Sequence, residues 1–310
     1  IILSILPFIP VDFWWIRSFD FPHLQLTAIT FIALLVYLIR FDIKRLKDYL
    51  LVISLLVCFS FQCSKIYPYT ILSDHEVLNA ITSKNVNKIS IYTANVYQDN
   101  DKTKELFLSI KKRNPDVVLL TETDEKWRNV LSKKLDNKYP HKIEAPFENT
   151  YGMMLFSRYK LLDKKVEFLI EDTIPSIHSK IIMPSKDTIQ LMAIHPAPPV
   201  PQHNPSSVDR DAEMMKIAKL SKASKFPVIV MGDFNDVAWS ETTELFQEFS
   251  GLLDMRKGRG FFNTYNAKIP LFRYPVDHIF VSDDFKLLDI KRLDNLASDH
   301  YPVFLKANLE

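Results

Sequence analysis

Six sites along this 310-residue chain set acid–base or metal-binding groups against apolar runs. Asn95, Glu122, His195, and Asp233 with Asn235 each follow such a run. Asp277 with His278, and Asp299 with His300, stand just before one. Side chains at strand ends can converge on one rim of a sheet, where ligands commonly bind. Carboxylates, amides and imidazoles without thiols suit a hard, oxygen-seeking cation such as Mg²⁺ or Mn²⁺. Such an ion neutralises a phosphate and polarises its oxygens, and neighbouring histidines and carboxylates move protons.

GDFND (232–236) is the sharpest of these stretches. Gly232 lets the backbone turn straight after the apolar run PVIVM. If the chain stays extended, Asp233 and Asn235 point the same way, since strand periodicity is two. One can then orient a water and the other a phosphate oxygen. The same spacing also serves an Asx-turn leaving a strand. In SDHYPV (298–303) the side chains of Asp299 and His300 diverge and can serve two partners in one site. A carboxylate such as Asp277 can hold His300 in one tautomer and raise its basicity. Taken singly, each Asp-His pair is equally what a surface loop carries. His278 reads as structural or as a support behind the reacting groups, Glu122 as a metal ligand or the first polar residue of a loop, and Asn95 as a ligand or a turn residue.

The elements that must hold these residues read as an α/β domain from residue 87 to 310. KISIYTANV (88–96), DVVLLTE (116–122), MMLFS (153–157), TIQLMAIH (188–195), PVIVMGDFN, HIFVS and PVFLKANL read as strands. Residues 101–113 and 208–223 read as helices, the first stopped by Pro115.

The N-terminal 66 residues follow another pattern. Residues 1–16, 24–39 and 49–61 are apolar runs with almost no charge, each a little short of the roughly 20 residues that span a bilayer. They predict a membrane anchor of about three transmembrane helices, the first interrupted by Pro7 and Pro10 and expected to be truncated. Arg40, Lys44, Arg45 and Lys47 crowd the second connection, whereas Arg17 stands alone in the first. Positive loops stay in the cytoplasm, so the catalytic domain is expected outside, on a multi-pass protein of the plasma (inner) membrane. Residues 67–86 read as a polar linker. Cys58 and Cys63, five apart in an apolar run, predict neither a disulfide framework nor a zinc site. A net charge of +2, from 39 basic and 37 acidic residues, lacks the basic excess of a duplex-binding protein.

In this order, TAN, PDVVLLTE, YGMMLFSR, AIHP, VIVMGDFN, PVDHIFVS and SDHYPV resemble the endonuclease/exonuclease/phosphatase, or DNase I-like, family from about Lys88 onward. The resemblance implies two packed mixed β-sheets flanked by helices, a four-layer sandwich with the site at one end. It implies that Glu122 is the principal metal ligand, with Asn95 helping to hold metal or phosphate, and that Asp299 is a second metal-side carboxylate. It implies that Asp233 and Asn235 orient the nucleophile, that Asp277 and His300 form a carboxylate–imidazole pair, and that His195 is the other catalytic histidine. In related enzymes that histidine leans on an acidic residue; the nearest segment here is ENTYG, with Glu148 one or two positions off. HPAPPV…DRD, GDFNDVAWS and GRGFFNTYNAKIPLFRYPVDHIF are similar to a bacterial, membrane-anchored branch. There this chain has Thr264-Tyr265 for Thr-Trp, and Tyr265 becomes an aromatic wall for substrate.

The expected activity is hydrolysis of a phosphoester, membrane-linked or small. A nuclease acting outside the membrane is the alternative within the enzyme class, disfavoured by the missing basic–aromatic cluster. A catalytically silent scaffold is the alternative outside it. IPLF (269–272) and Phe261-Phe262 either meet a lipid chain or pack in the core.

Overall fold

The computed structural model describes residues 1–42, 44–81, 87–202 and 204–310. Position 43 of the basic connection and the end of the expected linker, residues 82–86, therefore lie outside the described residues.

The chain opens with short helices α1 (Ile2–Ile5) and α2 (Trp14–Arg17), then the longer α3 (His23–Leu38) and α4 (Leu46–Ile66). The first apolar run is thus not one helix. Pro7 sits in a 3₁₀ turn over Leu6–Phe8, and the chain is extended at Ile9 before Pro10. By length and composition one helix among the described residues, continued through Tyr69, is long and apolar enough to cross a membrane. A second qualifies only if Trp14–Asp20 and α3, bent by 67°, count as one span. Only 17% of the apolar window of the α4 helix is buried.

Strands and helices then follow as β1 (Lys88–Asn95), α5 (Thr103–Arg113), β2 (Val117–Thr121), α6 (Glu125–Leu135), β3 (His141–Ala145), β4 (Met153–Ser157), β5 (Leu161–Glu167), β6 (Ser176–Ile182) and β7 (Thr188–Ile194). Next come α7 (Val208–Lys222), β8 (Val228–Asp233), α8 (Glu241–Ser250), β9 (Leu253–Asp254), β10 (Asp277–Val281), β11 (Phe285–Arg292) and β12 (Val303–Leu309). Among the described residues they form two six-stranded mixed sheets, β11-β12-β1-β2-β4-β3 and β5-β6-β7-β8-β10-β9.

The inner faces share one apolar core that includes Ile91, Leu119, Leu155, Leu191, Met231 and Leu305. Helices α5 and α6 cover the outer face of the first sheet through Leu106, Ile110, Trp127 and Leu131. Helices α7 and α8 cover the second through Met214, Ile217 and Phe246. Strands buried on both faces must be apolar at every position, which is why β2 and β8 read as continuous runs. The expected four-layer sandwich is the observed one.

Each sheet contains one parallel pair, β1 with β2 and β7 with β8. Parallel neighbours end on the same side, so Asn95, Glu122, His195 and Asp233 emerge along one rim. The antiparallel strands β10 and β12 begin at that rim, Asp277 facing Asp233 and Val303 facing Thr93. Gly232 allows this closeness. Its φ is +146°, and a Cβ there would collide with the carbonyl of Ile194 on β7.

The stretch before β1 is woven into the domain. Val77 is buried in the inter-sheet core, Leu287 N–H donates to Leu78 O, and Ala80 N–H donates to Leu287 O. Glu76 accepts from Asp254 N–H and Lys257 Nζ. The base of the α3–α4 hairpin shares a cluster with the domain: Ile66, Tyr69, Val237, Trp239, Tyr274 and Val276, with Phe21 and Leu24 against them.

Replacing Gly232 with alanine should destabilise the folded state by more than about 1 kcal/mol, because the new methyl group meets backbone rather than a yielding side chain. A thermal melt in detergent checks this, and an unchanged midpoint contradicts the close-approach argument.

Candidate active site

Asp233, the last residue of β8, is buried and its Oδ2 collects the site. Asn95 Nδ2 donates to it at 3.0 Å. His300 Nε2 lies 3.6 Å away and His195 Nε2 3.8 Å. Oδ1 accepts from the Asn235 backbone N–H at 3.0 Å. Asn95 also donates to Glu122 Oε1 at 2.7 Å, so one amide bridges two carboxylates. Burial pushes the Glu122 carboxyl up, and His195 and the Asn95 hydrogen bond oppose it. Glu122 (φ 58°) and Asn235 (φ 51°) both have left-handed backbones. That region is costly for non-glycine residues and collects at functional sites.

His300 Nδ1 pairs with Asp277 Oδ2 at 2.8 Å. This bond turns Nε2 toward Asp233. Burial alone would lower the imidazole's pKa. The carboxylates of Asp277, Asp233 and Asp299 outweigh it, and His300 is raised to about 10. The surrounding carboxylates thus favour its protonated form. The Tyr265 ring leans on it, centroids 4.9 Å apart.

His195 stands differently. Its ring meets Tyr151 at 5.4 Å, and its buried Nδ1 has no hydrogen-bond partner among the described residues. Glu148 does not approach it and instead accepts from Glu125 N–H at 3.4 Å. The neighbour that ENTYG supplies is thus the tyrosine.

Other expectations are redrawn by the geometry. Asn235 does not run parallel to Asp233, because its left-handed backbone breaks the extended premise. Its Nδ2 donates instead to Pro196 O at 2.9 Å. Asp299 is half-buried beside His300, and its carboxylate accepts a long contact from Ser298 Oγ at 3.5 Å. His278 is structural: it is buried between Arg256 at 2.6 Å and Asp236 O at 2.9 Å, and burial and Arg256 lower it to about 3.

A residue that sequence reasoning passed over is Arg210, buried on α7. Its guanidinium donates to Asn235 O at 3.0 Å and pairs with Asp211 at 2.8 Å and Asp236 at 3.2 Å. It clamps the turn that follows Asp233. The only trace in the sequence is an arginine between two aspartates, DRD, on the buried side of a helix.

Among the described residues, Asp233, Asp277 and His300 offer ligand atoms within 4.8 Å of one another, a spacing that can hold a metal ion. Part of that compactness is the Asp277–His300 hydrogen bond itself, and an imidazolium repels a cation. On the adjoining side Glu122 and Asp233 present carboxylate oxygens, whereas Asn95, expected as a ligand, turns its amide N–H groups toward both and its Oδ1 accepts from Tyr97 N–H at 3.0 Å. Four carboxylates (Glu122, Asp233, Asp277 and Asp299) around two imidazoles leave an excess of negative charge, which a divalent cation offsets.

The profile of the Endonuclease/Exonuclease/phosphatase family matches residues 85–300. No curated protein sequence matches the chain. Among solved structures, zebrafish (D. rerio) TDP2 complexed with a single-strand DNA product is similar at a TM-score of 0.59. That match has 19% identity and covers 71% of this chain and 99% of that one. An endonuclease/exonuclease/phosphatase from Bacteroides vulgatus matches at 0.59 and 19%, over 72% and 99%. Sphingomyelinase C from Streptomyces griseocarneus matches at 0.55 and 14%, over 71% and 99%. At these identities the likeness concerns the fold. With the family profile spanning most of the chain and the site built on the rim that this fold supplies, the chain belongs to the endonuclease/exonuclease/phosphatase family.

Proposed function

We propose that this protein is a membrane-anchored phosphoester hydrolase, dependent on Mg²⁺ or Mn²⁺, whose catalytic domain faces the extracytoplasmic side of the plasma (inner) membrane. Its substrate is a membrane-linked or small phosphoester. What carries the reading is one buried carboxylate oxygen, Asp233 Oδ2, set between two imidazole nitrogens and an amide. Asp233 takes the proton of the attacking water as its oxygen bonds to phosphorus. The His300 imidazolium, fixed by Asp277, balances charge on the phosphate oxygens. As the ester bond breaks, the leaving oxygen takes a proton delivered through His195. Glu122, with the carboxylates of Asp233 and Asp299, would hold the ion, which would polarise the phosphate oxygens, and Asn95 would orient Glu122 and Asp233 through its amide N–H groups. Asn235 stiffens the turn after Asp233, and Tyr265 walls the pocket beside His300.

The membrane assignment rests on surface chemistry. Ile29, Ile32 and Val36 on α3, and Leu50, Ile53 and Val57 on α4, are all exposed. Water does not tolerate so large an apolar face. The basic residues Arg40, Lys44, Arg45 and Lys47 lie in the connection at the far tip of this hairpin and the domain lies at its other end, which supports opposite sides of a bilayer for the two. A nuclease needs a basic path for its polymer; the near-balanced net charge of +2 counts against one, while Lys268, Arg273 and Arg292 on the rings of Tyr97 and Tyr301 are, among the described residues, the one basic–aromatic group that could serve it. A silent scaffold would have no use for the paired histidines.

Glu122→Gln and Asp233→Asn, each checked for folding, should each slow phosphoester turnover by about 10²–10⁴-fold. Near-unchanged rates remove that residue from the mechanism, and activity that survives chelation removes the metal. A panel of lipid phosphates, small phosphoesters and DNA, assayed with both ions, separates the substrate classes.

Asp277→Asn should lower the His300 pKa, since the carboxylate that most strongly raises it is lost. The alkaline limb of the pH–rate profile then moves toward neutral pH. A limb that stays in place shows that the His300 charge is not used. A reporter fused after Glu310 should be active outside the cytoplasm and silent within it.

A further inference from the structure

The catalytic domain is not free to pivot on its anchor. Trp239 Nε1 donates to Asp20 O at 2.8 Å, Trp14 N–H to Pro205 O at 2.7 Å, and Ser207 N–H to Asp12 O at 2.8 Å. Tyr69 OH donates to Ala238 O, and Lys65 pairs with Glu244, both at 2.6 Å. Whatever plane holds the hairpin therefore fixes which loops of the domain lie against that plane.

The loop from Asn266 to Arg273 is one of them. Gln25, in the first turn of α3, donates to Leu271 O at 2.6 Å. Beside that contact Ile269, Leu271 and Phe272 are 48%, 66% and 51% exposed. The loop is internally braced: Asn266 N–H donates to Phe272 O, and Phe272 N–H to Ile269 O. Its other end is tied to the site, Ala267 N–H donating to Asp299 O at 2.7 Å. Phe261, by contrast, packs on Trp239 and is core.

Cations flank the apolar tip. Lys268 lies 4.6 Å over the Tyr97 ring. Arg273 and Arg292 both lie over Tyr301, at 4.8 and 4.4 Å. Among the described residues none of the three is paired with a carboxylate. Two guanidinium groups on one ring without a counter-ion favour an anion between or beside them.

Resting on the membrane reading above, we propose that residues 266–273 form a wedge that enters the outer leaflet of an anionic phospholipid membrane. Ile269, Leu271 and Phe272 sit at the acyl boundary, and Lys268, Arg273 and Arg292 meet lipid phosphates. Because Ala267 is bonded to Asp299, the mouth of the site opens at headgroup level. Lipid-borne phosphoesters then reach it without leaving the bilayer.

The test uses the full chain in vesicles of phosphatidylcholine, with and without phosphatidylglycerol. With Cys58 and Cys63 replaced by alanine, an environment-sensitive dye is placed at Leu271→Cys, and at Leu162→Cys on the distant edge strand β5. Quenching by a nitroxide lipid at a depth of roughly 5–10 Å should cut emission at position 271 by about half and leave position 162 unchanged. Equal emission at both overturns the wedge, as does quenching that follows protein concentration, which would mark a contact between copies. Phosphatidylglycerol should deepen the insertion, and Arg273→Gln with Arg292→Gln should abolish that increment. Its persistence overturns the role given to the guanidinium groups. If the cysteine replacements disturb folding, amide exchange of residues 266–273 in the unaltered chain detects the same insertion. It should slow in anionic vesicles, and equal rates in both vesicle types overturn the proposal. A dye at Ile53→Cys reports separately whether the hairpin lies in the bilayer. No readout involves turnover, so the wedge and the hydrolase stand or fall independently.

Discussion

The site depends on how closely β7 and β8 approach at their last residues. Gly232 sets its backbone against the Ile194 carbonyl where no side chain fits. His195 and Asp233 leave that contact side by side. The other sheet delivers Asn95 and Glu122 from its own parallel pair. Asn95 then joins the two sheets by donating to Glu122 and Asp233 with one amide nitrogen. A buried donor shared by two charged acceptors leaves each carboxylate little freedom. Much of what is unusual nearby serves this arrangement, including the left-handed backbones at Glu122 and Asn235 and the Arg210 clamp on the turn after Asp233.

Much of this was legible from the sequence, for a physical reason. Strands covered on both faces must be apolar throughout, so β2, β4, β7, β8 and β10 stand out, and the first polar residue at their edges marks the rim. Strands β5 and β11 carry no such mark. β5 is an edge strand whose middle residues, Leu162 to Lys165, are all exposed, and in β11 charged residues interrupt the apolar ones. The Asp277–His300 pair was legible because each stands next to a strand. Arg210 was not, since its bonds to Asn235 and Asp236 join segments that only packing brings together. The extended geometry imagined for Asp233 and Asn235 failed at one torsion angle. Pro7 and Pro10 broke the first apolar run, where hydropathy alone sees a continuous stretch.

The division of the chain into anchor, linker and enzyme reflects composition more than structure. Val77 contributes to the core between the sheets, and Leu78 and Ala80 bond to β11. Trp239, buried, rests against Tyr69 and bonds to Asp20. The apolar surface that includes Val237, Trp239 and Tyr274 is covered by residues lying before the catalytic domain in sequence. Cutting the chain ahead of β1 would bare that surface to water, which makes the hairpin base part of the folded enzyme.

The pairing of β1 with β12 has a consequence for folding. Lys88 lies opposite Asn308, 220 positions later, and His300 stands three residues before β12 begins at Val303. Contacts so far apart in sequence carry a large loop-closure cost and slow folding. Until β12 inserts between β11 and β1, Asp277 has no imidazole to hold and Asp233 lacks one of its two histidines. Both histidines therefore stand beside Asp233 only when β12 is docked, so the rim of one sheet is completed by the closing of the other.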